Sequence, residues 1–408
     1  MTGLEAADWA RWRDHHRVGL AVSGGGDSVA MAVLAADAVG RDRLAIFSID
    51  HGLRAAAADE VALVRKLAGE LGVPFASATP GLAADASQDA ARQARYAALH
   101  SLAQSHDVSA LATGHTLEDQ AETVLMRLGK KSSVAGLSGI GEANVWGLPI
   151  LRPLLGVGRE ALRACLRARG VAWCDDPSNE NDAYQRIAVR KLLPALAAAG
   201  VTAEGIAASA ARLRDAHDAL SSVFEARWGA LVQPHRSLWL SWSAARYRED
   251  PREIRYRILE RAVRLVGGAD RPRRNVIERM DRALLAGEPT TGARCLARLM
   301  GTDIAVFREA RAITPISLAP GETGIFDARF VCRAIADVPI TIAPADALGL
   351  DRPPGLPTEA MRTAPAVVIG GDAEGCLMVG EAWGPAACNI LEITPVHDWP
   401  AGGPSEGG

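Results

Sequence analysis

The sequence contains no uninterrupted run of about 18 apolar residues, so a membrane-spanning helix is not expected. Its first residues include Glu5, Asp8, Trp9 and Trp12 in place of the apolar stretch of a secretory signal. The cysteines (Cys165, Cys174, Cys295, Cys332, Cys376 and Cys388) are scattered and form no Cys-x-x-Cys pair. A disulfide framework or zinc cluster would need closer grouping, so reduced thiols in a cytoplasm are expected. There is no Walker Gly-Lys-Ser and no dinucleotide fingerprint, and no internal repeat is found. From Gly205 to Arg311 there is not one lysine.

What is present is an ordinary globular balance, 49% hydrophobic and 23% charged, with ample material for a core. At roughly 100–200 residues per domain, 408 residues allow two or three domains. The net charge of −3 hides an asymmetry. Residues 205–311 carry 20 Arg against 13 Asp plus Glu, a local charge of 20 − 13 = +7, which leaves about −10 on the rest. An Arg-rich part joined to an acidic part suggests a polyanion-binding region, although a solvated helical surface would look the same.

The first half alternates strand and helix signals, implying βα units around a parallel sheet. Strands are expected at Arg17–Val22, Leu44–Ile49, Val73–Ala78 and Val108–Thr113. Helices are expected at Ser28–Val39, Asp59–Leu71 with Asp59 as N-cap, Gln88–Ser105 and Thr116–Leu128, where Thr116 and Asp119 fit a capping pattern. Further on, Leu148–Leu155 is a short run interrupted by prolines, Arg159–Arg169 a short helix, and Asp175–Asp182 a polar loop. Ile187–Ala199, Ala203–Arg227, Pro251–Val266 and Arg273–Ala286 read as helices. Beyond Ile304 short strand-like runs alternate with Pro and Gly, and Ala401–Gly408 reads as a disordered tail. The expected organisation is α/β: a Rossmann-like parallel-sheet domain over 1–200, a helical Arg-rich region over 201–312 and a small strand-rich region over 313–400.

Three motifs carry chemistry. Ser23-Gly24-Gly25-Gly26-Asp27-Ser28 joins an apolar strand to a helix. Glycines allow close backbone approach and positive φ, the helix N-terminus favours an anion, and Asp27 can hold magnesium on phosphates. Asp50 and His51 leave the second strand at the sheet edge where ligands bind in open α/β sheets. Gly114-His115 opens the third motif, in which His115, Asp119 and Glu122 are spaced to share one helix face. Those three could bind magnesium, recognise a cationic substrate or act as bases.

The order strand–SGGGDS–helix resembles the PP-loop ATP pyrophosphatases. The series then narrows: Asp50-His51-Gly52-Leu53-Arg54; Ala91, Arg92, Arg95 and Tyr96; Gly114-His115 through Asp119-Gln120-Ala121-Glu122-Thr123; Gly136–Ile140; Arg152-Pro153-Leu154-Leu155; Trp173–Asn179; Asp182, Arg186 and Arg190; Leu193-Pro194. Over about residues 17–194 it is similar to the tRNA(Ile)-lysidine synthetase family. One departure stands out, because the family usually shows two aspartates before the Gln, and here the first is Glu118.

The resemblance implies ATP-dependent ligation of free L-lysine to carbon 2 of the wobble cytidine in the CAU anticodon of tRNA(Ile), through an adenylated cytidine. It implies that Ser23–Ser28, with Asp50 and His51, bind ATP and that Asp27 holds Mg2+. Asp119 and Glu122 would receive lysine, and His115, Asp119 and Glu122 would act in catalysis. Arg186 and Arg190 would lie near tRNA, the arginines of 205–311 would grip its backbone, and a homodimer is open. The competing readings are a PP-loop tRNA thiolase, another PP-loop adenylating ligase, or a nucleotide-sensing module without activity. A thiolase needs catalytic cysteines near the base, and a glutamine-fed ligase needs a nucleophilic Cys.

Overall fold

The computed structural model describes residues 3–50, 56–81, 88–141, 143–174, 185–268, 271–369, 372–377 and 391–396. His51, the Asp175–Asp182 loop and the Ala401–Gly408 tail lie outside them. The chain divides into two compact units, Met1–Asp218 and Ala219–Gly408.

The first unit is built on β1 (Val18–Ala21), α1 (Gly26–Val39), β2 (Leu44–Ile49), α2 (Ala56–Leu71), β3 (Phe75–Ala78), α3 (Gln88–Ser105) and β4 (Ala110–Thr113). It continues through α4 (Leu117–Gly129), α5 (Val134–Leu137), β5 (Ala143–Val145), β6 (Leu148–Leu151), α6 (Arg159–Ala168), α7 (Gln185–Ala198) and the start of α8 (Ala203–Leu231). The sheet order is β3-β2-β1-β4-β6-β5, parallel except for β5. Alternate residues of β2 serve opposite faces. Leu44 and Ile46 join a core with α1, whereas Ala45 and Phe47 join one with Tyr96 and Leu99 of α3. A strand covered on both sides favours apolar residues on both faces, which is why LAIFSI is apolar at every position but Ser48.

The strand order reverses at β1, which lies between β2 and β4. Ligands of open α/β sheets bind outside the carboxyl ends of strands at such a point. The loops following β1 and β4 both emerge there.

Two local expectations need correction. Helix α2 begins at Ala56, so Asp59 sits in its first turn and is not its N-cap. A carboxylate there still favours the helix dipole. The third strand begins at Phe75, two residues later than expected. Pro74 has no N–H to donate to the ladder, although its carbonyl accepts from Ile46 N at 2.7 Å.

In the second unit, β7 (Gln233–His235), β8 (Trp239–Ser243), α9 (Ala244–Glu249), α10 (Arg252–Gly267), α11 (Arg274–Ala286), β9 (Thr290–Gly292), β10 (Cys295–Met300) and β11 (Asp303–Arg308) follow one another. Helices α10 and α11 fall where the sequence places them. The structure adds an antiparallel sheet, β7-β8-β11-β10-β9, whose core contains Trp242, Val306 and Ala297 together with Leu259 and Met280 of the two helices. Residues beyond 312 form two further small sheets of four and three strands.

Many arginines of this unit are held internally. Arg227 pairs with Asp250, Arg255 with Asp281, Arg261 with Glu225, and Arg294, Arg308 and Arg329 with Asp327. Arg252, Arg264, Arg273 and Arg282 are exposed and have no carboxylate partner among the described residues. The local excess of positive charge is therefore presented by fewer side chains than the composition suggests.

Candidate active site

The glycine-rich loop between β1 and α1 is fixed from within and from across the sheet. Gly24 has φ +90°, a region that disfavours side-chain-bearing residues. Ser28 Oγ accepts the Ser23 N–H at 3.2 Å and donates to Gly25 O at 2.9 Å. Cys174 N donates to Gly24 O at 2.9 Å, bracing the loop from outside. A Cβ on Gly114, in the loop after β4, would lie 3.0 Å from Asp27 O and Ser28 Cα, so the two loops touch through a glycine. Between them opens a cavity of about 570 Å3, lined by Ser23, Gly25, Gly26, Asp27 and Ser28 on one side. Thr113, Gly114, His115 and Asp119 line another side. Asp50, at the end of β2, does not line it, and its N–H donates to Ala78 O at 3.0 Å.

Helix α4 starts at Leu117 with Thr116 as N-cap, and the expected capping pattern is present. Thr116 Oγ1 accepts the Asp119 N–H, and Asp119 Oδ2 accepts the Thr116 N–H at 2.9 Å. His115 therefore precedes the helix, which corrects the expectation that it shares a helix face with Asp119 and Glu122. It is held instead by Thr113, whose Oγ1 lies 2.8 Å from its Nδ1.

The acidic residues converge on Arg159, the first residue of α6. Its Nε donates to Asp27 Oδ2 at 3.2 Å, its Nη1 to Glu122 Oε1 at 3.0 Å and its Nη2 to Asp119 Oδ1 at 2.5 Å. Glu122 is fully enclosed and does not line the cavity. It also accepts Arg190 Nε at 2.8 Å and lies 3.3 Å from Arg186 Nε. Arg186 and Arg190 are thus carboxylate-bound, and of the two only Arg190 lines the cavity.

Burial pushes His115 down to about 4, so its imidazole is neutral near pH 7 and resists protonation. Burial alone would raise Asp119, but the Arg159 guanidinium and the Thr116 N–H outweigh it and hold the carboxyl below its ordinary range. Burial raises Asp27 against the opposing pull of Arg159. The arrangement can take a polyphosphate at the start of α1 and a cation beside it, with an ionised carboxylate and a neutral imidazole on the same cavity.

Sequence reasoning missed Arg159. A usable signal was there, because a helix N-terminus favours acidic residues and Gly158-Arg159 puts a cation at that end. Such a cation needs carboxylates from elsewhere.

The PP-loop domain family matches residues 4–196. The chain is similar to the tRNA(Ile)-lysidine synthase of Ruegeria pomeroyi, with 35% identity over 395 residues that cover 90% of each chain. It is also similar to the enzyme of that name from Bradyrhizobium diazoefficiens, at 40% identity over 266 residues, 61% of this chain and 72% of the other. A further similar protein of that name, from Thermus thermophilus, shares 37% identity over 289 residues, 69% of this chain and 55% of the other.

Proposed function

The chain belongs to the tRNA(Ile)-lysidine synthase family, and from that premise we propose how its residues divide the work of an ATP-dependent ligase acting on tRNA(Ile). The reaction joins lysine to carbon 2 of the wobble cytidine in a CAU anticodon. Oxygen 2 of the base attacks the α-phosphorus of ATP and pyrophosphate leaves. The ε-amine of lysine then attacks carbon 2, AMP leaves with the oxygen, and the nitrogen sheds its extra protons. Adenylation is needed because a cytosine carbonyl is a poor electrophile with no leaving group.

One observation carries this reading: the phosphate-type loop, His115 and Asp119 wall the same cavity. Ser23–Ser28 hold the pyrophosphate, where fixed N–H donors stabilise developing charge. Asp119 receives the lysine ammonium, and Glu122, enclosed behind it, holds Arg159, Arg186 and Arg190 and supports the subsite from outside the cavity. His115, neutral and tethered to Thr113, orients a phosphate or the base by hydrogen bonding through its other ring nitrogen. Asp50, which does not line the cavity, and His51 are assigned to ATP by the family resemblance alone.

Magnesium commonly binds through one or two carboxylates together with substrate phosphates. Asp27, beside the loop and with its side chain 29% exposed, fits that pattern. Among the described residues there is no group of three or more His, Cys, Asp or Glu side chains placed to hold a metal ion. When bound, the ion would neutralise charge on the pyrophosphate.

Residues 1–200 would carry the chemistry and 201–312 would contact tRNA, with 313–400 as a strand-rich support. Arg186, whose side chain is 44% exposed, and Arg190 would add contacts near the anticodon. Cytoplasmic residence and a homodimer belong to the same proposal. No single described helix is long and apolar enough to cross a membrane. A thiolase is not favoured, since Cys174 is the sole cysteine among the described residues that line the cavity.

The test is incubation with radiolabelled lysine, ATP, magnesium and CAU-anticodon transcripts carrying isoleucine or methionine acceptor sequences. Label on the isoleucine tRNA alone is expected. ATP cleavage stimulated by tRNA without lysine incorporation would keep the PP-loop chemistry and sink lysine as nucleophile.

A further inference from the structure

A single guanidinium joins the carboxylates of the candidate site. Arg159 reaches Asp27 from α1 and both Asp119 and Glu122 from α4. Its main-chain N–H is fixed by Glu118, so the backbone is anchored while the side chain spans the gap. The side chain is 14% exposed and lines the cavity that the glycine-rich loop also lines. A cation already sits between the phosphate loop and Asp119 in the ligand-free protein.

We infer that Arg159 is a placeholder for the substrate ammonium and couples nucleotide binding to amine binding. The inference rests on the reading of Asp119 as the lysine subsite. Three carboxylates gathered within reach of one side chain would repel one another and lose solvation; Arg159 supplies counter-charge to all three, while Arg186 and Arg190 pair with Glu122 alone. A triphosphate entering at the loop brings further negative charge within reach of the same guanidinium. Arginine's planar fork matches phosphate oxygens as well as carboxylates. Arg159 then turns toward the phosphates about its anchored backbone, and Asp119 is left short of positive charge. The ammonium of lysine fills that deficit. ATP therefore tightens lysine binding, and by linkage lysine tightens ATP binding by the same factor. Arg159 is a positioning residue: it acts through Asp119, and the step makes and breaks no covalent bond.

Calorimetric titration of the full chain with lysine tests this, without nucleotide and with a saturating α,β-methylene analogue of ATP plus magnesium. For the unaltered protein the analogue should lower the lysine Kd about tenfold, within the range usual for coupled sites. For Arg159→Gln the two Kd values should agree within about twofold, with the nucleotide-free value no weaker than that of the unaltered protein. If circular dichroism shows that this variant does not fold, Arg159→Lys carries the test, since it keeps a cation without the fork and should show a smaller nucleotide response. An undiminished response in the folded variant overturns the inference, as does lysine binding weakened equally in both states. An unaltered protein that binds lysine with no nucleotide response overturns the inference alone. An unaltered protein that binds no lysine in either state sinks the lysine subsite and the inference with it.

Discussion

Glu118 accepts the main-chain N–H of Arg159 through both carboxylate oxygens, at 3.1 and 3.0 Å. A side chain of α4 thereby caps α6, across a sequence separation of 41 residues. The position where the resembled family usually carries an aspartate uses its extra methylene here to reach another helix, and it does not line the cavity. Glu118→Ala should remove about 1 kcal/mol of stability, as removal of a helix cap does. Glu118→Asp should fall between, because the shorter arm reaches less well. Urea unfolding measures both, and an alanine variant as stable as the parent would contradict the cap.

The pH dependence follows from His115. Its folded value of about 4 lies below the ordinary 6.5. Between those values the unfolded chain binds a proton that the folded chain refuses. The stability is therefore fully present above pH 6.5 and is lost as the pH falls toward 4. The loss by about pH 5 is on the order of 2 kcal/mol. Denaturant midpoints for the parent and His115→Asn at about pH 7 and pH 5 check this, and the variant should show the smaller drop.

Gly114→Ala would place a Cβ 3.0 Å from main-chain atoms of Asp27 and Ser28. The neighbouring atoms are backbone, so the loops must separate. Overpacking of this kind typically costs about 1–3 kcal/mol. Because the displaced segment is the phosphate loop, KM for ATP should rise about tenfold or more, equivalent to about 1.4 kcal/mol. Steady-state kinetics with unchanged KM for ATP would show that the close approach does not shape the nucleotide site.

Binding of tRNA should depend on the exposed arginines of the second unit. Replacing Arg252, Arg264, Arg273 or Arg282 by Ala should weaken tRNA binding alike for all sequences. Each such substitution should reduce the slope of log affinity against log salt by about 1. Arg255→Ala should instead destabilise the fold, since Arg255 holds the buried Asp281 at 2.9 Å. Filter binding across a salt series separates the two classes.

Asp327 is fully enclosed, and its oxygens accept from Arg294, from Arg308 at 2.8 and 2.9 Å and from Arg329 at 2.8 Å. Arg308 and Arg329 are themselves 1% exposed. Asp327→Ala leaves buried guanidinium groups without their carboxylate, a change that costs about 3–5 kcal/mol. A destabilisation below about 1 kcal/mol in chemical unfolding would show that carbonyls and water satisfy the arginines unaided.

Local signals carried much of the first unit. Continuous apolar runs marked β2 and β4, the Thr116-x-x-Asp119 spacing marked the start of α4, and contiguous glycines after β1 marked a loop open to an anion. The failures were of another kind. His115 was placed on the α4 face by spacing alone, although the cap that ends the loop lies one residue later. The strand Cys295–Met300 lies inside the 201–312 region expected to be helical, and it is strand because β9 and β11 pair on either side of it.

The sequence by itself determined that a glycine-rich turn would meet a helix N-terminus at a sheet edge, because φ preference, capping and apolar periodicity act over a few residues. Tertiary structure alone decided that Arg159 would meet Asp27, Asp119 and Glu122, which lie 132, 40 and 37 residues away in the chain. Ion pairing depends on distance in space, and no local pattern encodes which charges the sheet order will bring together.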